Sequence, residues 1–325
     1  MKELTLFKTK IIIKENLIKE VFDYLDKMSD IHIITDENVA NLYLKELTIS
    51  NFHTYIIKPG EESKNIDNYL NIQNQIISNN ASRKSIIIGF GGGVVLDLAG
   101  FIASTLFRGV ELVYIPTTII GMIDASIGGK NGIDLKSYKN QIGTFYNPKY
   151  VFIDPKLLDT LPKKEYLCGL GEVFKTALIG DKLLFDSFKK GILLDESLIY
   201  KLVFIKANIV ANDYYEENTR KILNFGHTLG HAIESKSNFK YKHGEAIIYG
   251  MIFALELGVK MELTNKKDYQ EIKDLFYHYG LGLDDIVFKD YFDYIKYDKK
   301  KDKDEIDFVF LEEIGKPIIK KIKLL

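Results

Sequence analysis

Residues 85–101, SIIIGFGGGVVLDLAGF, decide the fold. The run Ser85–Gly89 is rich in β-branched residues and reads as a buried strand. Three glycines follow at Gly91–Gly93, and the pattern then predicts a helix over about Val94–Leu106. Glycines at such a turn let the backbone come close to a ligand. The following helix start offers free N–H groups and the positive end of its dipole, which suits a pyrophosphate. A bare strand–helix turn has the same appearance, and the spacing is not the G-x-G-x-x-G of ordinary dinucleotide folds. Asp97 lies one turn into the helix, where a carboxylate needs a partner. Thr117 and Thr118, just after the next strand, add hydroxyls at the same edge of the sheet.

Working outward, Ile31–Thr35, Tyr55–Ile57 and Glu111–Ile115 read as strands, and Val39–Leu47 and Ile66–Ile77 as helices. Strands alternating with helices imply βαβ units and a parallel sheet. The apolar stretch 86–106 superficially looks like a membrane span, but Asp97 and the glycines interrupt it. After Leu157 the texture changes. Lys163–Ile179, Ser197–Asn212, Thr228–Ser235 and Glu245–Lys260 have helical spacing. Pro155 and Pro162 bracket a turn-rich segment. The expected division is therefore an α/β domain with a parallel sheet over 1–156 and a mostly α-helical domain over 157–325. The charged run Asp298–Glu305 is expected to be a solvated loop.

Composition narrows the function. The 325 residues carry 44 Lys and Arg against 45 Asp and Glu. A balance this even gives no field to gather a phosphate backbone, so no nucleic-acid partner is expected. The single cysteine, Cys168, excludes an intrachain disulfide. The longest apolar run near the start is Ile11–Ile13, too short for a signal peptide of about 7–15 apolar residues. A cytoplasmic protein with no membrane partner is expected.

Two stretches carry chemistry. In GLGEVFKTALIG, residues 169–180, Glu172 and Lys175 are spaced i, i+3 and share a helix face. In RKILNFGHTLGHAIE, residues 220–234, His227 and His231 are spaced i, i+4, and His243 follows in KHGEA. Two histidines and a carboxylate are a usual set for catalytic zinc, leaving room for substrate oxygens. Helix histidines are ordinarily satisfied by local hydrogen bonds. The third histidine, the Gly226/Gly230 spacing and the nearby Arg220 and Asn224 favour a metal. No Glu follows either helix histidine, so an H-E-x-x-H protease is excluded.

The segments GGGVVLDLAGFIAS, PTTIIGMIDASIGGKNGI, KNQIGTFYNP, GLGEVFKTALI and LNFGHTLGHAIE, followed by HGEA, occur in the order found in the 3-dehydroquinate synthases, which this chain resembles from about Asp36 to 315. The resemblance implies NAD as a transiently reduced cofactor, a divalent metal (zinc or cobalt) and 3-deoxy-D-arabino-heptulosonate 7-phosphate as substrate. It implies metal ligands at Glu172, His227 and His243. Nucleotide-binding positions would be Asp36, Asn38, Glu61, Lys64, Gly92, Gly93, Val94, Asp97, Thr117, Thr118, Lys130, Lys139, Thr160, Leu161 and Glu165. The substrate pocket would use Asp124, Lys130, Asn140, Lys175, Lys206, Arg220, Asn224, His231 and a lysine of the 299–300 pair. Arg108 matches an arginine that dimers of the family lend to the neighbouring subunit, so a homodimer is implied.

Two departures stand out. DLKSY at 134–138 replaces a His-Pro-x-Gly type of turn, and Leu96 replaces a frequent glycine, placing a bulkier group near the cofactor. Related readings are a sugar-phosphate cyclase acting on a substrate without a carboxylate, a metal-dependent polyol dehydrogenase, and a catalytically inactive NAD- or metal-sensing protein. His231 favours the first-named family over the other cyclases. Lys130, Lys175, Arg220 and Asn140 together count against a dehydrogenase, and Lys175 with His231 against a mere sensor.

Overall fold

The computed structural model describes residues 1–25, 30–47, 52–136, 138–237, 240–284, 286–291 and 305–323. Its contacts divide the chain into two compact units, Met1–Leu161 with Leu194–Ala211, and Pro162–Leu193 with Asn212–Leu325. The helix that follows Leu194 thus groups with the first unit, although it lies beyond the boundary expected near 156.

The first unit is built on a seven-stranded sheet. Its strands are β1 (Lys2–Leu6), β2 (Thr9–Ile13), β3 (Ile31–Asp36), β4 (His53–Ile57), β5 (Ile86–Gly91), β6 (Glu111–Pro116) and a last strand, Tyr150–Ile153. The order is β1-β2, then Tyr150–Ile153, then β6-β5-β3-β4, and all neighbours run parallel except β1 with β2. Helices α1 (Glu37–Tyr43), α2 (Ile66–Ser78) and α3 (Gly93–Thr105) connect the central strands. Strands β5 and β6 are apolar along nearly their whole length, as strands covered on both faces tend to be, and β3 is buried from Ile31 to Thr35 although it includes His32 and Thr35. Ile33, Ile34, Ile87, Ile88, Val113 and Ile115 are fully buried. The expected strand and helix pattern of this half is found. β1, β2 and Tyr150–Ile153 were not anticipated.

Helix α3 lies close on the sheet because Gly89 has no side chain: a Cβ there would stand 2.9 Å from that of Ala99. Leu96 is fully buried, and its methyl carbons lie 3.4 and 3.6 Å from where Gly89 and Gly121 would carry a Cβ. It packs between helix and sheet, which corrects the expectation of bulk beside a cofactor. A separate hairpin pairs β7 (Lys130–Leu135) with β8 (Tyr138–Phe145), and the described residues of the DLKSY departure lie at the facing ends of these strands, 137 lying outside the described residues. The strand Tyr150–Ile153 is β9 in chain order.

The second unit is mostly helical. It contains α4 (Lys163–Gly180), α5 (Lys182–Ser187), α7 (His227–Lys236), α8 (His243–Lys260) and α9 (Lys266–His278), while α6 (Glu196–Asn212) belongs mainly to the first unit. It also has an antiparallel hairpin, β10 (Glu305–Glu313) with β11 (Lys316–Lys323). Glu305, expected in a solvated loop, therefore begins a strand, and 298–304 lie outside the described residues. The expected helix over Thr228–Ser235 is found as α7. A 3-10 turn over Thr219–Asn224 ends before Gly226, whose φ of 79° breaks the path, and α7 starts afresh at His227. Among the described residues no helix is long and apolar enough to cross a membrane.

Candidate metal centre and nucleotide cradle

In the second unit, glycines set the distance between three helices. A Cβ on Gly171 of α4 would stand 2.4 Å from the Gly244 carbonyl oxygen, and one on Gly244 would stand 1.7 Å from that of Cys168. Likewise a Cβ on Gly250 of α8 would stand 1.8 Å from the Gly226 oxygen at the head of α7. Real side chains do not fit at these places, so backbone meets backbone. That contact carries Glu172, His227 and His243 to one spot.

One ligand atom from each of these residues lies within 4.8 Å of the others. His227 Nε2 is 3.5 Å, and His243 Nε2 3.4 Å, from Glu172 Oε1. Two ligands held about 2.1 Å from one ion at a near-tetrahedral angle lie roughly 3.4 Å apart, so the observed spacing fits a zinc-like ion. Glu172 is fully buried, with Lys175 against one carboxylate oxygen and the two imidazoles facing the other, Oε1. A buried carboxylate oxygen facing two ring nitrogens is a favourable place for a cation.

The local electrostatics prepare that role. Burial alone would raise the Glu172 carboxyl, but Lys175 and the two imidazoles outweigh it and hold it well below the usual range. Lys175 is 2% exposed and pairs directly with the second Glu172 oxygen. Burial, helped by Lys175, keeps His227 well below its ordinary value, so the ring is neutral and able to ligate. For His243, burial is overcome by Glu172 and Glu234, which raise it to about 9, so here an incoming ion must displace a proton. Glu234 Oε2 lies 3.5 Å from His243 Nδ1, where a carboxylate can orient a ligating ring. His231 is exposed, with its ring centre 5.2 Å from that of His227 and 5.8 Å from that of His243.

Arg220 is buried. Its backbone N–H donates to Asp213 Oδ2 at 2.9 Å and its guanidinium to the Tyr214 carbonyl. Asn224 donates to Glu216 Oε1 at 2.6 Å. Glu216 and Glu234 were both missed from sequence. Glu234 sits at the end of the histidine motif itself, which was the available signal.

In the first unit, the C-terminal ends of β3, β5 and β6 adjoin one another. Asp36 ends β3 and caps α1, accepting from the N–H groups of Asn38 and Val39 at 2.9 and 3.1 Å. Gly92 caps α3 without a side-chain bond. A Cβ there would stand 3.0 Å from the Thr118 methyl carbon, and one on Gly93 3.6 Å from Ala125 Cβ. Val94 follows on the helix. The Thr117 N–H donates to the Gly91 carbonyl at 2.9 Å. The glycine turn, Asp36, Asn38 and the two threonines therefore share one edge.

Lys64 lies beneath this edge, 5% exposed. Its Nζ is 2.8 Å from Asn140 Oδ1, 2.9 Å from Glu61 Oε1 and 3.2 Å from Asp97 Oδ2. Burial raises Asp97 to about 6 against the pull of Lys64. Burial alone would lower Lys64, but Asp97 and Glu61 hold it above its ordinary value. Lys139 Nζ lies 3.7 Å from Glu61 Oε1.

Lys206 of α6 is buried and bonds Asp124 through both its carbonyl oxygen, at 2.7 Å, and its carboxylate. Asp124 stands in a π-helical turn over Gly121–Ala125, a form common at functional sites. Lys130 opens β7 and is exposed. The Thr160 hydroxyl bonds the Tyr43 hydroxyl, Leu161 follows it, and Glu165 in the second unit pairs with Lys242. Arg108 is exposed on a turn where Phe107, Arg108 and Gly109 all have positive φ (50°, 68° and 116°). The 299–300 lysines lie outside the described residues.

Two family descriptions match in tandem: 3-dehydroquinate synthase N-terminal over residues 54–168, and 3-dehydroquinate synthase C-terminal over 169–301. The 3-dehydroquinate synthase of Alkaliphilus oremlandii is 41% identical over 80% of this chain and 77% of that protein. That of Clostridium botulinum is 40% identical over 95% of this chain and 94% of its own length. Among solved structures, a 2-deoxy-scyllo-inosose synthase complexed with carbaglucose-6-phosphate, NAD+ and Co2+ superposes with a TM-score of 0.87. It is 26% identical and covers 99% of this chain and 96% of its own.

Proposed function

This chain belongs to the 3-dehydroquinate synthase family, and on that premise we propose that it converts 3-deoxy-D-arabino-heptulosonate 7-phosphate to 3-dehydroquinate and phosphate, as a carbon–oxygen lyase of the shikimate pathway. The observation that carries this is the buried Glu172 carboxylate facing two imidazole nitrogens at 3.4 and 3.5 Å, with Lys175 beside it. Glu172, His227 and His243 would hold zinc or cobalt, and the edge built by Asp36, Asn38, Gly92, Gly93, Val94, Thr117 and Thr118 would hold NAD. Once bound, the ion would acidify a substrate hydroxyl and NAD would take and return a hydride.

The chain's own groups bind and orient. Lys130 and Asn140 on the β7–β8 hairpin offer a cation and an amide to a phosphate. Buried Arg220 offers its guanidinium to a carboxylate, which loses its hydration on entry and needs a cation in return. Lys206, held by Asp124, is a second cation, and Asn224 and His231 supply further polar contacts near the ligand triad. A bound phosphate is oriented for its elimination, and a bound carboxylate restricts the conformers from which the remaining chain closes its ring. Lys64, Asp97, Glu61, Lys139, Thr160, Leu161 and Glu165 line or support the nucleotide side. The enzyme works in the cytoplasm as a homodimer, to which the exposed Arg108 on its strained turn lends a cation for the neighbouring subunit.

The test is phosphate release from the heptulosonate phosphate, with the product identified by mass and NADH followed by absorbance. Formation of 3-dehydroquinate without net NADH is expected. Preferential cyclisation of glucose 6-phosphate would assign a different cyclase, and stoichiometric NADH a dehydrogenase.

A further inference from the structure

Residues β7 and β8 pair regularly at Ile133↔Ile142 and again at Leu135↔Tyr138, with an irregularity between. Asp134 is the residue on the short side, and Asn140 is on the long side with a φ of 53°. Asparagine tolerates this left-handed conformation better than most residues. Taken out of the ladder, the Asn140 N–H needs another acceptor. Asp134 Oδ1 supplies it at 2.8 Å. The Asp134 N–H in turn donates to the Lys64 carbonyl at 2.8 Å, and Lys64 Nζ returns to Asn140 Oδ1 at 2.8 Å. Three segments thus close a ring of hydrogen bonds.

The ring determines which way the amide points. An ammonium has only donors, so the Asn140 atom that meets Lys64 must be its oxygen. The Nδ2 group is left on the other branch, makes no hydrogen bond among the described residues, and belongs to an exposed residue. A free asparagine can turn its amide over and offer oxygen to an anion, which repels it. This one is locked as a donor. We infer, resting on the function proposed above, that Asp134 is a positioning residue: with Lys64 it holds Asn140 so that only amide N–H groups face an oxyanion of the substrate. β-bulges that re-aim a side chain beside a site are a recurrent device.

The experiment compares Asp134→Ala and Asp134→Asn, alone and combined with Asn140→Ala, using the whole enzyme with NAD and metal. Asp134→Ala is expected to raise KM for the heptulosonate phosphate by about 5- to 50-fold, the worth of one or two hydrogen bonds, while kcat changes less than about threefold. Asp134→Asn keeps an acceptor oxygen and stays within about threefold of the natural enzyme in KM. In the Asn140→Ala background, Asp134→Ala should change KM less than about twofold, since its effect acts through Asn140. Equal effects in both backgrounds would reduce Asp134 to a structural residue and overturn the inference. Hydrogen exchange at the Asn140 amide needs no substrate: it should be slow in the natural protein and in Asp134→Asn, and fast in Asp134→Ala. Unchanged exchange in Asp134→Ala would also overturn it, whereas absent turnover with the expected exchange would fault only the proposed substrate.

Discussion

Replacing Glu172 by glutamine tests the metal centre with little change of shape. The amide is isosteric with the carboxylate, so packing against α7 and α8 is kept, but the anionic ligand facing His227 and His243 is lost. Structural zinc sites with four ligands bind with roughly 10–16 kcal/mol, or about 2.5–4 kcal/mol per ligand. One ligand of three should therefore cost about 100- to 1000-fold in affinity. At a zinc concentration about 1000 times the natural Kd, the ion adds about 4 kcal/mol to the natural protein's stability. With a Kd raised about 300-fold, the same zinc adds only about 0.9 kcal/mol. A difference near 3 kcal/mol corresponds to a Tm gap of about 6–12 °C for a unit of this size. The assay is thermal unfolding with and without zinc, beside chelator competition and elemental analysis. A Glu172→Gln protein that purifies with a full equivalent of metal, or gains as much Tm from zinc as the natural protein, would refute the ligand assignment.

Two further perturbations probe the frame. In Gly244→Ala the new Cβ would stand 1.7 Å from the Cys168 carbonyl oxygen, so α8 must move off α4. A loss of about 2–4 kcal/mol in denaturant unfolding and a weaker metal Kd are expected, and a midpoint shift worth less than about 0.5 kcal/mol would show that the contact can slip. His32 is fully buried in β3, with Nδ1 2.8 Å from the Tyr55 hydroxyl and Nε2 2.5 Å from Asp30 Oδ2. Burial lowers its pKa despite Asp30. The unfolded chain therefore binds more protons than the folded one just below pH 6.5, and His32 makes stability fall as pH drops through that window, by at most about 1.4 kcal/mol per pH unit. His32→Gln should flatten that part of the profile between pH 5 and 7, and parallel profiles for the two proteins would exclude His32 as its source.

What the sequence disclosed and what it withheld divide along the distance over which each contact acts. The β5–α3 unit was legible because strand, glycine turn and helix are adjacent, and each residue signals its own state. The helices α4, α7 and α8 were legible for the same reason, whereas the choice of Glu172, His227 and His243 came from the resemblance to the family and not from their spacing. The strands β2 and β9 were not. They pair Lys10 with Tyr150, so neither short segment carries a sign of its partner. The start of α7 was less legible: Gly226 takes a left-handed conformation in close contact with Ile247 and Met251 of α8. Glycine at that position signals freedom, but only the neighbouring helix shows how it is used. The same holds for Lys64. Composition marks it as a surface lysine and resemblance as a nucleotide contact, yet its Nζ already meets acceptors on Glu61, Asp97 and Asn140. An ammonium has three protons to donate. With these three acceptors in place, a cofactor oxygen reaches Lys64 only by displacing one of them. The role that costs least is to hold the cradle and the hairpin in register.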